Sequence, residues 1–323
     1  MNKAVCLCLI HLSAFACLFG CSGGSQTIKN EVRLHTEGLL ARGVAAERKG
    51  DPDAAAQLLN EAARLSASIE DRELRATALL NLARLKRLQN EIPAATSAID
   101  AALHVADHTF DIHAECLQEK AMIELGAGNR NSALDYATKA VAAERGDQLG
   151  RRLNLVARIQ LLSQDIARAA DTIDKALSAN RKNEDTEEEG NSLRMMGVIW
   201  RLNGNWGESE KMLLAALQLD KVTGRSTKVA MDLEELASTA EKSGDNEKRL
   251  VYLHRAYEVN NNGRRFVQAA GNLETMAGIY QRLGNSERAR ELLTTADRLR
   301  RTGPDQTISP ASSPSTTSPS SKP

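Results

Sequence analysis

The sequence predicts an all-α solenoid of seven helix-turn-helix repeats. Three observations predict it: turn residues recur at near-constant spacing, a Leu stands eleven residues before each turn, and an Ala stands twelve residues after it. Composition agrees, since aromatics are only 3% of the 323 residues while 42% are hydrophobic. A core so poor in aromatics is filled by Leu, Ala, Ile, Val and Met, which favours close helix packing over the filling of sheets.

Residues 1–20 read as a signal peptide. A short basic start (Met1, Asn2, Lys3) precedes an apolar run from Ala4 to Phe19. That run is shorter than the ~20 apolar residues of a spanning helix, and it ends in small residues. Its end, Leu18-Phe19-Gly20-Cys21, resembles the lipobox of bacterial lipoproteins. The resemblance implies cleavage before Cys21 and lipidation of Cys21, with residues 21–30, beginning Ser22-Gly23-Gly24-Ser25-Gln26 after the anchor, serving as a flexible tether. Cys17 is a rival position that lacks the Leu three residues earlier. Ser22 beside the anchor is similar to lipoproteins sorted to the outer membrane, so the expected location is that membrane, lipid-anchored and facing the periplasm. Cys6, Cys8 and Cys17 leave with the leader and lipid consumes Cys21, so Cys116 remains alone in the mature chain, as a small buried hydrophobe or, as the rarer alternative, an intermolecular thiol.

The repeats occupy residues 31–302. Their turns are Gly50-Asp51, Asn90-Glu91, Gly128-Asn129, Gln164-Asp165, Gly204-Asn205, Gly244-Asp245 and Gly284-Asn285, at intervals of 40, 38, 36, 40, 40 and 40 residues. Before them stand Leu39, Leu79, Leu117, Leu153, Leu193, Leu233 and Leu273. Four residues after each Leu comes a small residue: Gly43, Ala83, Ala121, Ala157, Gly197, Ala237 and Ala277. A side chain of one carbon or none, one helical turn from a Leu, lets a second helix come close. That second helix carries Leu59, Ile99, Ala137, Ile173, Leu213, Leu253 and Leu293, each followed three residues later by Ala62, Ala102, Ala140, Ala176, Ala216, Ala256 and Ala296. The two columns share one helix face, so each hairpin interlocks. At the joint, Gly tolerates positive φ and the following Asn or Asp can cap the next helix.

These columns resemble the tetratricopeptide repeat (TPR) pattern, with Leu where that family often has Trp. The aromatic three residues after the small position survives as Trp200 and Tyr280, and the terminal Pro is missing throughout. The period near 40 residues exceeds the family's usual length of about 34, which implies longer helices. The resemblance implies a right-handed α-solenoid with a continuous core, a concave surface lined by first helices, and the binding of protein or peptide partners there.

Residues 303–323 hold five of the seven prolines and a dense set of Ser and Thr, a composition that cannot bury enough to fold. A disordered tail is expected, as spacer, glycan-bearing stalk or partner segment.

Lys+Arg and Asp+Glu both number 42, so no global field draws the chain to nucleic acid. No P-loop, G-x-S-x-G, C-x2-C pair or H-E-x-x-H occurs, so no catalytic residue, metal site or cofactor is expected and the chain reads as a non-enzyme. The rival reading is a sensor for a small ligand or metal through His104, His108 and His113, with Cys116 near. Its spacing crosses a helix end and a loop, and no other repeat has a matching cluster.

The acidic run Glu184, Asp185, Glu187, Glu188, Glu189 reads as negative charge at a helix start. Trp200 reads as core and Trp206 as a plug between hairpins. By helical spacing, the residues flanking the buried columns of the first helices are Arg84, Arg87, Arg151, Asn154, Arg158, Asn191, Arg194 and Arg201. Glu234, Glu241 and Glu274 follow in repeats six and seven. The expectation is a basic middle that binds an acidic or C-terminal carboxylate segment of an envelope protein, in assembly, secretion or pilus-type machinery. The alternative is that these Arg are solvated or pair with Glu inside the groove.

Overall fold

The computed structural model describes residues 23–106 and 111–301. Among them every regular element is a helix. The order is α1 (Gly23–Arg48), α2 (Pro52–Ser68), α3 (Arg72–Leu88), α4 (Ile92–Val105), α5 (Ile112–Gly126), α6 (Arg130–Ala143), α7 (Leu149–Leu162), α8 (Ile166–Lys182), α9 (Thr186–Leu202), α10 (Trp206–Val222), α11 (Ser226–Ser243), α12 (Asn246–Asn262), α13 (Phe266–Arg282) and α14 (Ser286–Arg301). Odd helices are the first, even helices the second of seven helix-turn-helix repeats. Cys21, His108 and the tail 303–323 lie outside the described residues. Among those described, no helix is long and apolar enough to cross a membrane.

Helix α1 begins at Gly23, inside the segment 21–30 expected as a tether. Between Ser25 and Asn30 there is no Gly or Pro to stop a helix once begun.

All seven turns stand where the spacing put them. The first turn residue has positive φ each time, including two without glycine, Asn90 (φ 62°) and Gln164 (φ 62°). The chain reverses there and the next residue starts the second helix. Asp51, Asp165, Asp245 and Asn285 accept the backbone N–H three residues on, satisfying donors that a helix start leaves free. Glu91 and Asn205 make no such side-chain bond.

The chain divides into two compact units after Asn129. In the first, α1 packs on α2, α2 on α3, α3 on α4 and α4 on α5; in the second the same succession runs from α6 to α14. Burial follows the columns. All seven Ala of the second helices are fully buried, at 0% exposure, and all seven small residues of the first helices are buried. Leu39, Leu117, Leu193, Leu233 and Leu273 are buried, while Leu79 and Leu153 are half-buried. Gly197 shows why the small column exists: a Cβ there would lie 2.6 Å from Leu213 Cγ.

Two expectations are corrected. Leu293 is 45% exposed, because no further repeat follows α14 among the described residues to cover it; its neighbour Leu292 is buried instead. Trp206 is 42% exposed. It occupies the first position of α10, three residues ahead of the first buried side chain of that helix, Ser209, and so lies outside the packed face. Cys116 is buried, and burial pushes its thiol up to about 12.

Candidate functional site on the first helices

The polar residues of the second unit fall into a register that sequence inspection missed. Sixteen residues after the turn, at the end of the second helix, stand Asn180, Asp220 and Asn260, each 2% exposed. Twelve residues before the next turn stand Ser192, Asp232 and Asn272; ten before their own turns stand Asn154, Arg194 and Glu234. Each set meets in one rung joining three helices.

In the first rung, Asn180 Nδ2 donates to Ser192 Oγ at 3.0 Å, which donates to Asn154 Oδ1 at 2.6 Å. In the second, Arg194 Nε donates to Asp232 Oδ1 at 2.6 Å while its guanidinium also grips Asp220. In the third, Asn260 donates to Asn272 Oδ1 at 3.0 Å, and Asn272 donates to Glu234 Oε1 at 2.9 Å. Arg152 with Glu144, and Arg300 with Glu274 at 2.7 Å, continue the register at either end of the unit. Small residues make room: a Cβ on Gly150 would lie 1.8 Å from Asn180 Oδ1. In the first unit the same positions are mostly apolar, held by Leu40, Ala78, Leu80, Ala106 and Cys116, with Ser66 and Gln118 as the buried polar members. A buried polar atom is tolerated only when paired, so each rung admits one register of neighbouring hairpins.

Of the eight residues expected to face a partner, Arg158 is exposed on α7 and the other seven stand as follows. Arg84 donates to Glu115 at 2.6 Å and Arg87 to Glu119 at 2.5 Å, joining α3 to α5. Arg201 donates to Glu235 at 2.5 Å, joining α9 to α11. Arg87 and Arg201 occupy one register position, three before the turn, and their partners another, nine before the following turn. Asn154 also donates to Glu188, through its backbone oxygen at 2.9 Å and its carboxylate at 2.8 Å. Asn191 Oδ1 accepts from Arg194 at 2.9 Å. Arg151 is different: its side chain is 55% exposed and only 3.9 Å from Glu188. The acidic run at the start of α9 is used in the same way, with Glu189 paired to Arg181 at 2.7 Å and Glu187 to Arg225. Glu241 pairs with Arg249 at 2.8 Å.

One residue absent from the sequence reading stands out on this face. Lys228, at the start of α11, is half-buried and has no carboxylate in ion-pair contact among the described residues. Burial lowers its pKa, Arg194 and, to a lesser extent, Arg158 lower it further, and the negative charges of Glu188 and Asp220 do not make up the loss. Arg158 of α7, Arg194 of α9 and Lys228 of α11 thus bring positive charge toward one place, where Glu188 and Asp220 are the opposing acids. No sequence column marked Lys228, because the same position carries Glu188 in α9 and Gln268 in α13.

Among the described residues, no three His, Cys, Asp or Glu converge as metal ligands. Trp200 is half-buried on the opposite side of α9 from Arg194 and lines an apolar channel there.

No protein-family model and no curated protein matches the sequence. Solved structures do match. A tetratricopeptide repeat protein from Parabacteroides merdae superposes over 81% of this chain and 98% of its own, with a TM-score of 0.51 at 19% identity. The chain has the tetratricopeptide-repeat fold. A Rap protein complexed with Competence and Sporulation Factor matches this TPR chain over 83% of its length and 77% of the Rap protein, with a TM-score of 0.61 at 14% identity. PilF of Pseudomonas aeruginosa matches over 72% of this chain and 93% of its own, with a TM-score of 0.54 at 15% identity.

Proposed function

We propose that this TPR chain is a lipid-anchored scaffold of a bacterial envelope, held at the outer membrane through Cys21, whose first helices grip an acidic or carboxylate-ended segment of a protein partner. It carries out no chemistry of its own. Assembly, secretion or pilus-type machinery is the setting that the lipobox-like leader and the fold likeness to PilF favour together. The fold likeness to a Rap protein solved in complex with another factor favours the holding of a partner.

The observation that carries the reading is Lys228. Burying an ammonium without a counter-ion is unfavourable, and a carboxylate arriving beside it recovers that cost. Arg151, on α7 two first helices away and 3.9 Å from Glu188, is exposed enough to add a charge-assisted bond. Arg84 and Arg87 of α3 in the first unit, and Asn154 of α7 with Asn191, Arg194 and Arg201 of α9 in the second, already hold partners within the fold. Their part is to set the spacing of the first helices.

Fluorescence anisotropy on the full chain, with a labelled Asp/Glu-rich peptide ending in a free carboxylate, tests this. The double variant Lys228→Met with Arg151→Met is expected to bind at least tenfold more weakly. Equal affinity for both proteins overturns the reading.

A further inference from the structure

The opposite side of α9 from Arg194 carries a second surface. Helices α8 and α10 flank α9 there and leave an apolar channel of about 800 Å³, within the range of roughly 300–1,000 Å³ usual for ligand sites. Leu193, Met196 and Trp200 form its floor, Leu177 one wall, and Met212 and Leu219 the other. Along α8 the channel runs from Ala170 to Arg181, a span of about 16 Å at ~1.5 Å per residue, or three helical turns.

The next groove in the register shows what keeps this one open. Between α10 and α12, Glu210 reaches across to Lys248 at 3.0 Å and accepts from Tyr252 Oη at 2.9 Å. Moved back one repeat of 40 residues, those three positions are Ala170, Glu208 and Met212. The strap is missing because its carboxylate is replaced by a methyl group and its ammonium by a second carboxylate.

The charge of the rim selects the occupant. Arg181 is paired with Glu189 at 2.7 Å and Lys211 with Glu208 at 3.4 Å. Asp174, in the α8 wall, has no partner among the described residues, so the lining carries three acids against two bases. We infer that the α8–α9–α10 channel is a docking groove for a basic amphipathic helix of a partner protein, with apolar side chains at i, i+3, i+4 and i+7 against Met196, Trp200 and Met212 and a Lys or Arg against Asp174. Two methionines suit such a face, since thioethers adapt to differing shapes. The site is independent of the first-helix face and stands whether or not that face binds carboxylates.

The test uses the full chain in a Trp206→Phe background, which leaves Trp200 as the fluorescent reporter. The probe is a synthetic Leu/Lys amphipathic helix; its Leu/Glu counterpart and decanoate are the comparators. The Leu/Lys helix is expected to shift Trp200 emission and to bind at least tenfold more tightly than the Leu/Glu helix. Asp174→Asn is expected to weaken it several-fold. The triple variant A170E/E208K/M212Y, which transplants the strap, is expected to abolish binding while circular dichroism and Tm stay unchanged. Equal binding of the two helices, binding that survives the strap, or a Trp200 response to decanoate alone would overturn the proposal.

Discussion

Arg194 keeps only 8% of its side chain exposed between Asp220 and Asp232, which are themselves 2% and 0% exposed. Removing one partner of a buried ionic set strands the others, at a cost of about 3–5 kcal/mol. Arg194→Met is therefore expected to lower stability by that amount in urea unfolding, and Arg151→Met by less than about 0.5 kcal/mol, as an exposed charge. The same rung makes stability depend on pH. Burial, opposed by Arg194 and reinforced by the like charge of Asp220, pushes the Asp232 carboxyl up to about 7. The folded state then binds a proton that the unfolded chain has released, so this contribution is complete below the ordinary aspartate pKa and is lost as pH rises through about 7. Asp232→Asn is expected to flatten the fall in Tm between pH 5 and pH 8; an unchanged slope contradicts this assignment. Lys228 carries the opposite sign of argument. With its pKa lowered in the free chain, affinity for an anion is expected to begin falling at a pH below the ordinary lysine range, which a titration of peptide affinity reads directly. The eight candidate residues were picked out by helical spacing on the first helices, but which of them pair within the fold was left open between two readings, because an Arg on a helix face looks the same whether its partner lies 34 residues onward or in another protein.

Each hairpin is built from rules visible in the sequence, and these rules also say where it breaks. The Ala column was legible in full because no larger side chain fits where two helices touch, and all seven members are at 0% exposure. Gly197 goes further than its Ala counterparts, since even a methyl group would meet Leu213. Gly197→Ala is expected to destabilise by about 1–3 kcal/mol of overpacking, less about 1 kcal/mol of gained helix propensity; a net gain in Tm would contradict the close approach of α9 and α10. The turns test the opposite case. Gln164 holds a φ of 62° that costs a side-chain-bearing residue roughly 1–2 kcal/mol, so Gln164→Gly is expected to raise thermal stability rather than lower it. What escaped the sequence reading was the polar register. Its members at any one position differ in chemistry, Asn180 against Asp220, or Ser192 against Asp232, so it shows only as a 40-residue recurrence of polar residues where the apolar columns predict core.

Taken whole, the chain separates two tasks that its sequence presented as one. The buried polar rungs and the paired arginines build and register the repeats of the second unit, while Lys228 has no ion-pair partner among the described residues and Arg151 stays 55% exposed beside Glu188. The seven repeats and their period were legible because a solenoid repeats its constraints. Lys228 was not, because its position has no column and its lack of an ion-pair contact among the described residues exists only in three dimensions. The most direct measurement compares Lys228→Met with Arg194→Met in the same two assays, affinity for the acidic, carboxylate-ended peptide and midpoint of unfolding. The expected result is that Lys228→Met, combined with Arg151→Met, loses at least tenfold in affinity with an unchanged Tm, whereas Arg194→Met loses stability first. A Lys228 variant that binds as tightly as the unaltered chain, with the same Tm, would contradict the assignment of partner binding to this face.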